Sequence, residues 1–296
     1  MPAQNPSARL LLDWRVRRLI VNADDFGLTA GVNRAIVQAH TQGIVTSSTL
    51  MATGSAFPDA VALAPATLSV GCHVLLVDGH PVLSRREIPS LASNGEFDSS
   101  LVSVVVRATT GRIADREIEA EASAQIRALQ SAGVQVSHID THKHTHLFPQ
   151  ILRPLLRAAK ACGVRAIRNP YGKLAWSEIA SRPGLWKRYW QTQFLNVYAE
   201  KFRRAVSQAG IVTPDGSLGV VFTGTFDDHT FRLVLESIPE GTWELVCHPG
   251  YNDSDLNRIQ TRLRHSRELE LKLLTSPETR QILAEQGVQL ISYPEL

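Results

Sequence analysis

The 296-residue sequence lacks several features that mark specialised protein classes. Its three cysteines, Cys72, Cys162 and Cys247, form no CxxC pair and are too few for a disulfide framework. We therefore expect reduced thiols and a cytoplasmic protein. No apolar run approaches the roughly 20 residues that cross a bilayer. Charged residues follow Leu10–Leu12 directly, so we also expect no signal peptide.

Neither sign of charge is in large excess. The 31 Lys and Arg residues and 28 Asp and Glu residues give a net charge of +3 at pH 7. The basic residues occur in short pairs such as Arg17-Arg18, whereas nucleic-acid binders concentrate them on one face or tail. The 44% of hydrophobic residues is ordinary for a globular chain. We predict a globular protein with no nucleic-acid partner.

Short apolar runs alternate with longer amphipathic segments along the whole chain. Thr29 is a predicted helix N-cap, Pro149 suits a first helical position, and Ser276-Pro277 predicts a break between two helices. The predicted strands are Leu19–Asn22, Val45–Met51, Leu68–Cys72, Val136–Ile139, Ala166–Arg168, Gly219–Phe222, Leu245–Cys247 and Leu290–Ser292. This alternation favours an α/β fold over residues 1–296, either a (β/α) barrel or a doubly wound sheet.

Two stretches interrupt the alternation. Residues 78–103 predict a long loop, of a kind that often forms a lid or a binding loop. Residues 171–216 form a predicted helical insertion with aromatic residues at every fourth position. These are Trp186, Trp190, Phe194, Tyr198 and Phe202. The stripe is typical of a helix docked on the barrel. A lipid-facing surface, or an apolar entrance for a lipid-linked sugar, is the alternative.

Residues able to carry chemistry follow the apolar runs. Asp24 and Asp25 come after the first predicted strand, His73 after the third and His248, in Cys-His-Pro-Gly, after the seventh. Each has a plain structural alternative: Asp and Gly form turns, and a lone His is often a packing residue. Because the carboxyl ends of parallel strands lie at one face, we expect these side chains to converge there.

The most specific pattern is the run His138–His146, with four histidines and one aspartate. Alternate side chains of an extended chain point the same way, so His138, Asp140, His142 and His144 are expected to share one face. Imidazoles with a carboxylate suit a divalent metal such as zinc. A solvated histidine tract is the alternative.

Four motifs in order resemble those of the YdjC-like carbohydrate deacetylases. They are Asn22-Ala23-Asp24-Asp25-Phe26-Gly27-Leu28, the Gly-x-His at His73, the His-Ile-Asp-x-His-x-His at 138–144 and the Cys-His-Pro-Gly at 247–250. The segment 73–79 with Pro81 is most similar to the hopanoid-biosynthesis-associated subgroup. The resemblance implies a distorted (β/α) barrel, similar to a TIM barrel. It also implies a hydrolase that removes acetate from an N-acetylated amino sugar, here the N-acetylglucosaminyl head of a hopanoid lipid.

The resemblance further implies one divalent metal ion held by Asp25, His73 and His142, with Asp24 as general base and His248 as general acid. Two imidazoles and one carboxylate leave a coordination position for water. Zinc is favoured, while magnesium, manganese, cobalt and nickel stay open.

Supporting or substrate-binding roles are expected for a second set of residues: Asp140, Arg168, His144, Trp186 and Trp190. Asp140 is placed to orient a ligand imidazole through its second nitrogen. Arg168 is placed to keep Asp24 ionised and oriented, and a surface arginine is the alternative.

Other functions stay open on the sequence. One is a chitooligosaccharide deacetylase, and another is a metal-dependent phosphoesterase or amidohydrolase that uses the His-x-His tract. In those hydrolases the tract typically follows the first strand, whereas here it follows the fourth. A non-catalytic metal- or sugar-binding barrel is a third. A homodimer and peripheral contact with the inner membrane surface are also allowed.

Overall fold

The computed structural model describes residues 16–172, 179–180 and 182–296. The run Leu10–Leu12 and part of the predicted insertion lie outside these ranges. The strands are β1 (Arg17–Phe26), β2 (Ser47–Leu50), β3 (Ser69–Val74), β4 (Ile139–Thr141), β5 (Gly216–Leu218), β6 (Gly241–Cys247) and β7 (Val288–Leu290). They pair in parallel in the order β4-β3-β2-β1-β6-β5, and β7 pairs with the beginning of β1. The fold is α/β, with six strands curled into a parallel half-barrel that agrees with the expected distorted barrel.

Helices connect the strands, as parallel pairing requires. They are α1 (Ala30–Thr41), α2 (Phe57–Leu63), α3 (Leu101–Thr109), α4 (Asp115–Ser131), α5 (Pro149–Ala161), α6 (Pro183–Leu195), α7 (Ala199–Ala209), α8 (Asp228–Glu236), α9 (Ser254–Arg258), α10 (His265–Thr275) and α11 (Pro277–Glu285). Three predicted boundaries are confirmed. The Thr29 side chain caps α1, Pro149 begins α5, and Ser276 caps α11 directly after α10.

Two predicted strands are wrong. Gly219–Phe222 is not a strand, because Gly219 takes a left-handed φ of 86° and the chain turns into a 3-10 helix over Val220–Phe222. Ala166–Arg168 is reduced to two isolated bridges, Ile139 with Ile167 and Ala166 with Val212. β4 and β5 are the two outer strands of the sheet, and the described chain between them forms only these isolated bridges.

The interior of the half-barrel is polar near the middle of its strands. His138 lies just before β4, fully buried, with its ring stacked on Tyr293 at a centroid distance of 3.5 Å. Its Nε2 lies 3.1 Å from Oδ1 of Asn22. Gly71 on the neighbouring β3 leaves room for this ring, since a Cβ there would stand 2.5 Å from it.

The predicted loop over residues 78–103 is held closely against α4. Buried Glu121 accepts hydrogen bonds from the backbone of Val82 at 2.8 Å and of Leu83 at 2.9 Å. Glu117 accepts in the same way from Ser90 at 2.7 Å. Carboxylates of one helix thus satisfy backbone donors that a sheet would otherwise pair. These hydrogen bonds attach the segment to α4.

The aromatic stripe does not dock the insertion as one face. Leu185 and Tyr189 are the buried residues of α6, whereas Trp190 and Phe194 are 61% and 76% exposed. A 3-10 turn over Asn196–Tyr198 changes the direction of the chain before α7, where Phe202 is buried. Docking through the whole stripe is the wrong expectation, because α6 packs through the neighbouring face of Leu185 and Tyr189 and the turn then separates it from Phe202. None of the described helices combines the length and hydropathy needed to cross a bilayer.

Candidate active site

The shared direction of the parallel strands brings the predicted residues to one edge of the half-barrel. Asp24 and Asp25 both face this edge, although neighbours in a regular strand point apart. The pairing register of β1 with β2 shifts between Ala23 and Phe26, and Asp25 has a φ of 68°. This β-bulge turns the second carboxylate toward the site.

Three donor atoms form a compact cluster. Oδ1 of Asp25 lies 3.7 Å from Nε2 of His73 and 3.6 Å from Nδ1 of His142, and the two nitrogens are 3.2 Å apart. Ligands about 2.1 Å from a tetrahedral zinc ion stand roughly 3.4 Å from one another. The spacing and the donor types therefore fit a divalent cation.

Asp140 fixes which nitrogen of His73 faces the cluster. Its Oδ1 lies 2.7 Å from Nδ1 of His73, so a proton on Nδ1 leaves Nε2 for the cluster. Burial alone would lower the pKa of His73, but the carboxylate of Asp140 raises it to about 9. A proton and a cation therefore compete for Nε2, and cation binding must displace the proton.

Arg168 lies at the centre of a buried ion network. Its guanidinium contacts Asp24 at 2.6 and 2.8 Å, Asp140 at 2.5 Å and Glu244 at 2.8 Å. It is fully buried, so the alternative of a surface arginine is wrong. Burial alone would raise the pKa of Asp24, but Arg168 lowers it well below its usual range. Asp24 is therefore a carboxylate at neutral pH.

The same network occupies a second candidate donor group. Asp24, His73 and Asp140 also have donor atoms close enough to hold a metal ion. The Arg168 guanidinium already occupies the space between the two carboxylates. Part of their negative charge is thus compensated without a metal.

His248 approaches Asp24 from the end of β6. Its Nε2 lies 3.8 Å from Oδ2 of Asp24, and its backbone N–H donates to Glu270 at 2.6 Å. Burial lowers the pKa of His248 to about 4, so the ring is neutral at pH 7. Burial also raises the pKa of Glu270 to about 7. Nδ1 of His248 and Oε1 of Glu270 are buried without a hydrogen-bond partner in the described part of the chain.

Helix α10 supports the site with two charged residues that the sequence did not single out. Arg267 donates to Oδ2 of Asp25 at 2.5 Å, and Glu270 holds the backbone of His248 one turn later. Both are almost completely buried. Burial alone would raise the pKa of Asp25, and Arg267 lowers it well below its usual range. Glu244 of β6 is a third such residue, held by Arg168 and by the hydroxyl of Tyr293 at 2.6 Å.

The expectation that four residues of the histidine run share one extended face is wrong. Strand β4 ends at Thr141, and Lys143 and His144 have left-handed φ values of 53° and 52°. The backbone N–H of His146 donates to Oγ1 of Thr141 at 3.1 Å and closes this turn. His142 therefore reaches the cluster from the turn rather than from the strand.

The other predicted residues lie around the cluster or away from it. Burial lowers the pKa of His144 to about 3, with Arg168 contributing, and its Nδ1 has no hydrogen-bond partner within the described ranges. Trp186 lies on α6, and its Nε1–H donates to the backbone carbonyl of Ile179 at 3.2 Å.

The sequence matches the family of YdjC-like proteins over residues 18–285. The chain belongs to this family. It is similar to relatives named carbohydrate deacetylase: one from Brevibacillus brevis, 32% identical over 94% of this chain and 99% of the relative, and one from Geobacillus stearothermophilus, 32% identical over 94% and 98%.

Two solved structures share the fold of this chain. A provisionally named cellobiose-phosphate cleavage protein from Enterococcus faecalis is 28% identical and superposes with a TM-score of 0.74 over 95% of this chain and 98% of its own. The lactam utilization protein of Thermus thermophilus is 15% identical, with a TM-score of 0.50 over 93% and 99%. The second likeness shows the fold alone.

Proposed function

We propose that this YdjC-like protein is a metal-dependent carbohydrate deacetylase that hydrolyses the acetamide of an N-acetylated amino sugar to an amine and acetate. The observation that carries the proposal is the cluster of Asp25, His73 and His142 beside an ionised Asp24 and a neutral His248. Two relatives carry the name carbohydrate deacetylase, which supports an acetylated carbohydrate as the substrate class.

Asp25, His73 and His142 would hold the cation, with zinc favoured over magnesium, manganese, cobalt or nickel. A divalent ion bound there supplies Lewis acidity and a lowered pKa for water. Arg267 and Asp140 hold two of these ligands in place, by contacts of 2.5 Å to Asp25 and 2.7 Å to His73.

Asp24 acts as the general base that takes a proton from the attacking water, and Arg168 keeps it ionised and oriented. His248 then donates a proton to the amine as the carbon–nitrogen bond breaks. Because the His248 ring is neutral at the start, its proton has to arrive during the cycle. Asp24, 3.8 Å from Nε2, is the group placed to pass it on.

Replacement of Asp24 by Asn tests this assignment. The change removes the base but preserves the shape of the side chain, so we expect acetate release to fall by about 10²–10⁴-fold. Zinc content should stay at the wild-type level, since Asp24 is bound to Arg168 instead. The matched control is Asp228→Asn, an exposed aspartate of α8. Unchanged turnover in Asp24→Asn would remove Asp24 from the mechanism.

For the substrate we propose the N-acetylglucosaminyl head of a hopanoid lipid, on the resemblance of segment 73–79 to that subgroup. Acetate release from N-acetylglucosaminyl lipids should exceed release from chitobiose when the same metals are added. Equal or faster turnover of chitobiose would instead favour a chitooligosaccharide deacetylase.

We further propose that the chain acts as one cytoplasmic domain and meets this lipid at the inner membrane surface through α6. The apolar side chains of Phe194 and Val197 are exposed there. Residues 183–198 contain no Asp or Glu but include Lys187 and Arg188, which suits an anionic lipid surface. Co-sedimentation with anionic vesicles should weaken in Phe194→Ser. Sedimentation velocity on the same samples separates vesicle binding from a homodimer formed through this face. Equal sedimentation of wild type and variant would refute the contact.

A further inference from the structure

Two loops meet at the side of His142 that faces away from the cluster. The loop after β3 brings Oδ2 of Asp78 to 3.8 Å from Nε2 of His142. The turn after β4 brings Lys143, whose Nζ forms an ion pair with the same Oδ2. Nδ1 of His142 points to Asp25 and His73. The imidazole therefore lies between the donor cluster and a separate carboxylate.

His142 is the ligand of the cluster that most needs support. Its side chain is 24% exposed, compared with 2% for His73 and 4% for Asp25. His73 is fixed by Asp140 at 2.7 Å, and Asp25 by Arg267 at 2.5 Å. Within the described ranges, Asp78 is the charged group recorded beside Nε2 of His142.

The backbone that carries Asp78 is held in an unfavourable conformation. Asp78 has a φ of 59°, in the left-handed region that non-glycine residues enter only at a cost. Its N–H donates to the carbonyl of Asp98 at 3.2 Å, and Phe97 donates to Gly79 at 3.0 Å. Asp98 also accepts from the backbone of Ser100 at 2.9 Å, at the beginning of α3. These bonds fix the position of the Asp78 backbone, from which the carboxylate extends toward His142.

We propose that Asp78 is a positioning residue for the metal site. In the metal-loaded protein its carboxylate would close the 3.8 Å gap and accept the Nε2–H of His142, so that the Nδ1 lone pair faces the cation, while Lys143 competes for the same carboxylate oxygen. A carboxylate behind a ligand imidazole fixes its tautomer and increases its basicity. The inference deepens the proposed function and rests on its metal site.

Zinc affinity and the visible spectrum of the cobalt-loaded protein test this role without turnover. In Asp78→Asn the side chain keeps its size, and Asn tolerates the left-handed backbone. We expect zinc affinity to fall by about 10–100-fold and the cobalt bands to change. Lys143→Met should act in the opposite direction, by at least about twofold, since it frees the carboxylate and removes a positive charge.

The matched control is Glu96→Gln, an exposed carboxylate of the same loop that lies 3.8 Å from His80. It should leave zinc affinity and the spectrum unchanged. Equal affinity in Asp78→Asn and wild type would overturn the inference, and so would equal losses in Asp78→Asn and Glu96→Gln or weaker binding in Lys143→Met. A wild type that binds no divalent ion would instead refute the metal site itself.

Discussion

Replacing Arg168 by Gln should destabilise the protein strongly. The change removes a fully buried guanidinium that contacts Asp24, Asp140 and Glu244 at 2.5 to 2.8 Å. Removing one partner of a buried ion pair costs about 3–5 kcal/mol, because the other charge stays buried and uncompensated. Three carboxylates lose their partner here, so we expect about 5 kcal/mol, the upper end of that range.

The sign of the pH dependence follows from the carboxylates. In the wild type Arg168 holds the pKa of Asp24 well below its usual value despite burial. That stabilisation is present above the unfolded pKa of about 3.9 and is lost as the pH falls through the folded value. In Arg168→Gln, burial without the cation raises the pKa of Asp24 above about 3.9. The penalty should therefore grow from about pH 4 to pH 7 and shrink in acid.

Urea unfolding followed by circular dichroism over this pH range measures the penalty. The matched control is Arg157→Gln on α5, whose partner Glu119 lies 2.5 Å away in an exposed pair. Exposed ion pairs contribute less than about 1 kcal/mol to the free energy of unfolding, so this control should lose little stability. Equal losses in the two variants, or a penalty in Arg168→Gln that does not change with pH, would refute the reasoning.

Three further outcomes are expected. Gly71→Ala should cost about 1–3 kcal/mol in thermal unfolding, because its Cβ would stand 2.5 Å from the His138 ring; an unchanged melting temperature would contradict this packing. Asp227→Ala should cost about 1 kcal/mol by loss of the α8 cap. Burial would raise the pKa of Asp227, but Thr230 lowers it to about 2, so its charge-dependent contribution is present above about pH 3.9 and lost as the pH falls through about 2. A constant effect in urea titrations over that range would oppose this. Chelation should lower the stability of protein saturated at 100 times its zinc Kd by about 2.7 kcal/mol, and added zinc should restore it; a melting curve indifferent to both would contradict a folded-state site.

The sequence predicted which residues meet at the carboxyl edge of the sheet better than it predicted the local backbone that positions them. Alternation of apolar runs and helices predicted parallel strands, and polar residues at their ends predicted convergence. Asp24, His73 and His248 do lie close together, as that rule requires. The rule works because parallel strands share one direction, whatever side chains they carry.

Other parts of the site depend on tertiary placement. Arg267 and Glu270 belong to a helix whose charged residues resemble an ordinary solvated surface, and only the docking of α10 buries them. The common face of the histidine run was wrong because Lys143 and His144 leave the extended conformation. Left-handed backbone at such residues is rare and has no reliable sequence signal.

The four non-glycine residues with positive φ in the described chain, Asp25, Asp78, Lys143 and His144, all lie at or beside the donor cluster. Glycine or asparagine at such positions would relax the main chain, which makes these residues obvious targets in a search for thermostability. Here that strategy would target the segments that carry two proposed ligands, Asp25 and His142. Variants selected only for heat resistance should therefore lose metal retention first, and thermostabilisation of this enzyme is better directed to loops far from β1 and β4.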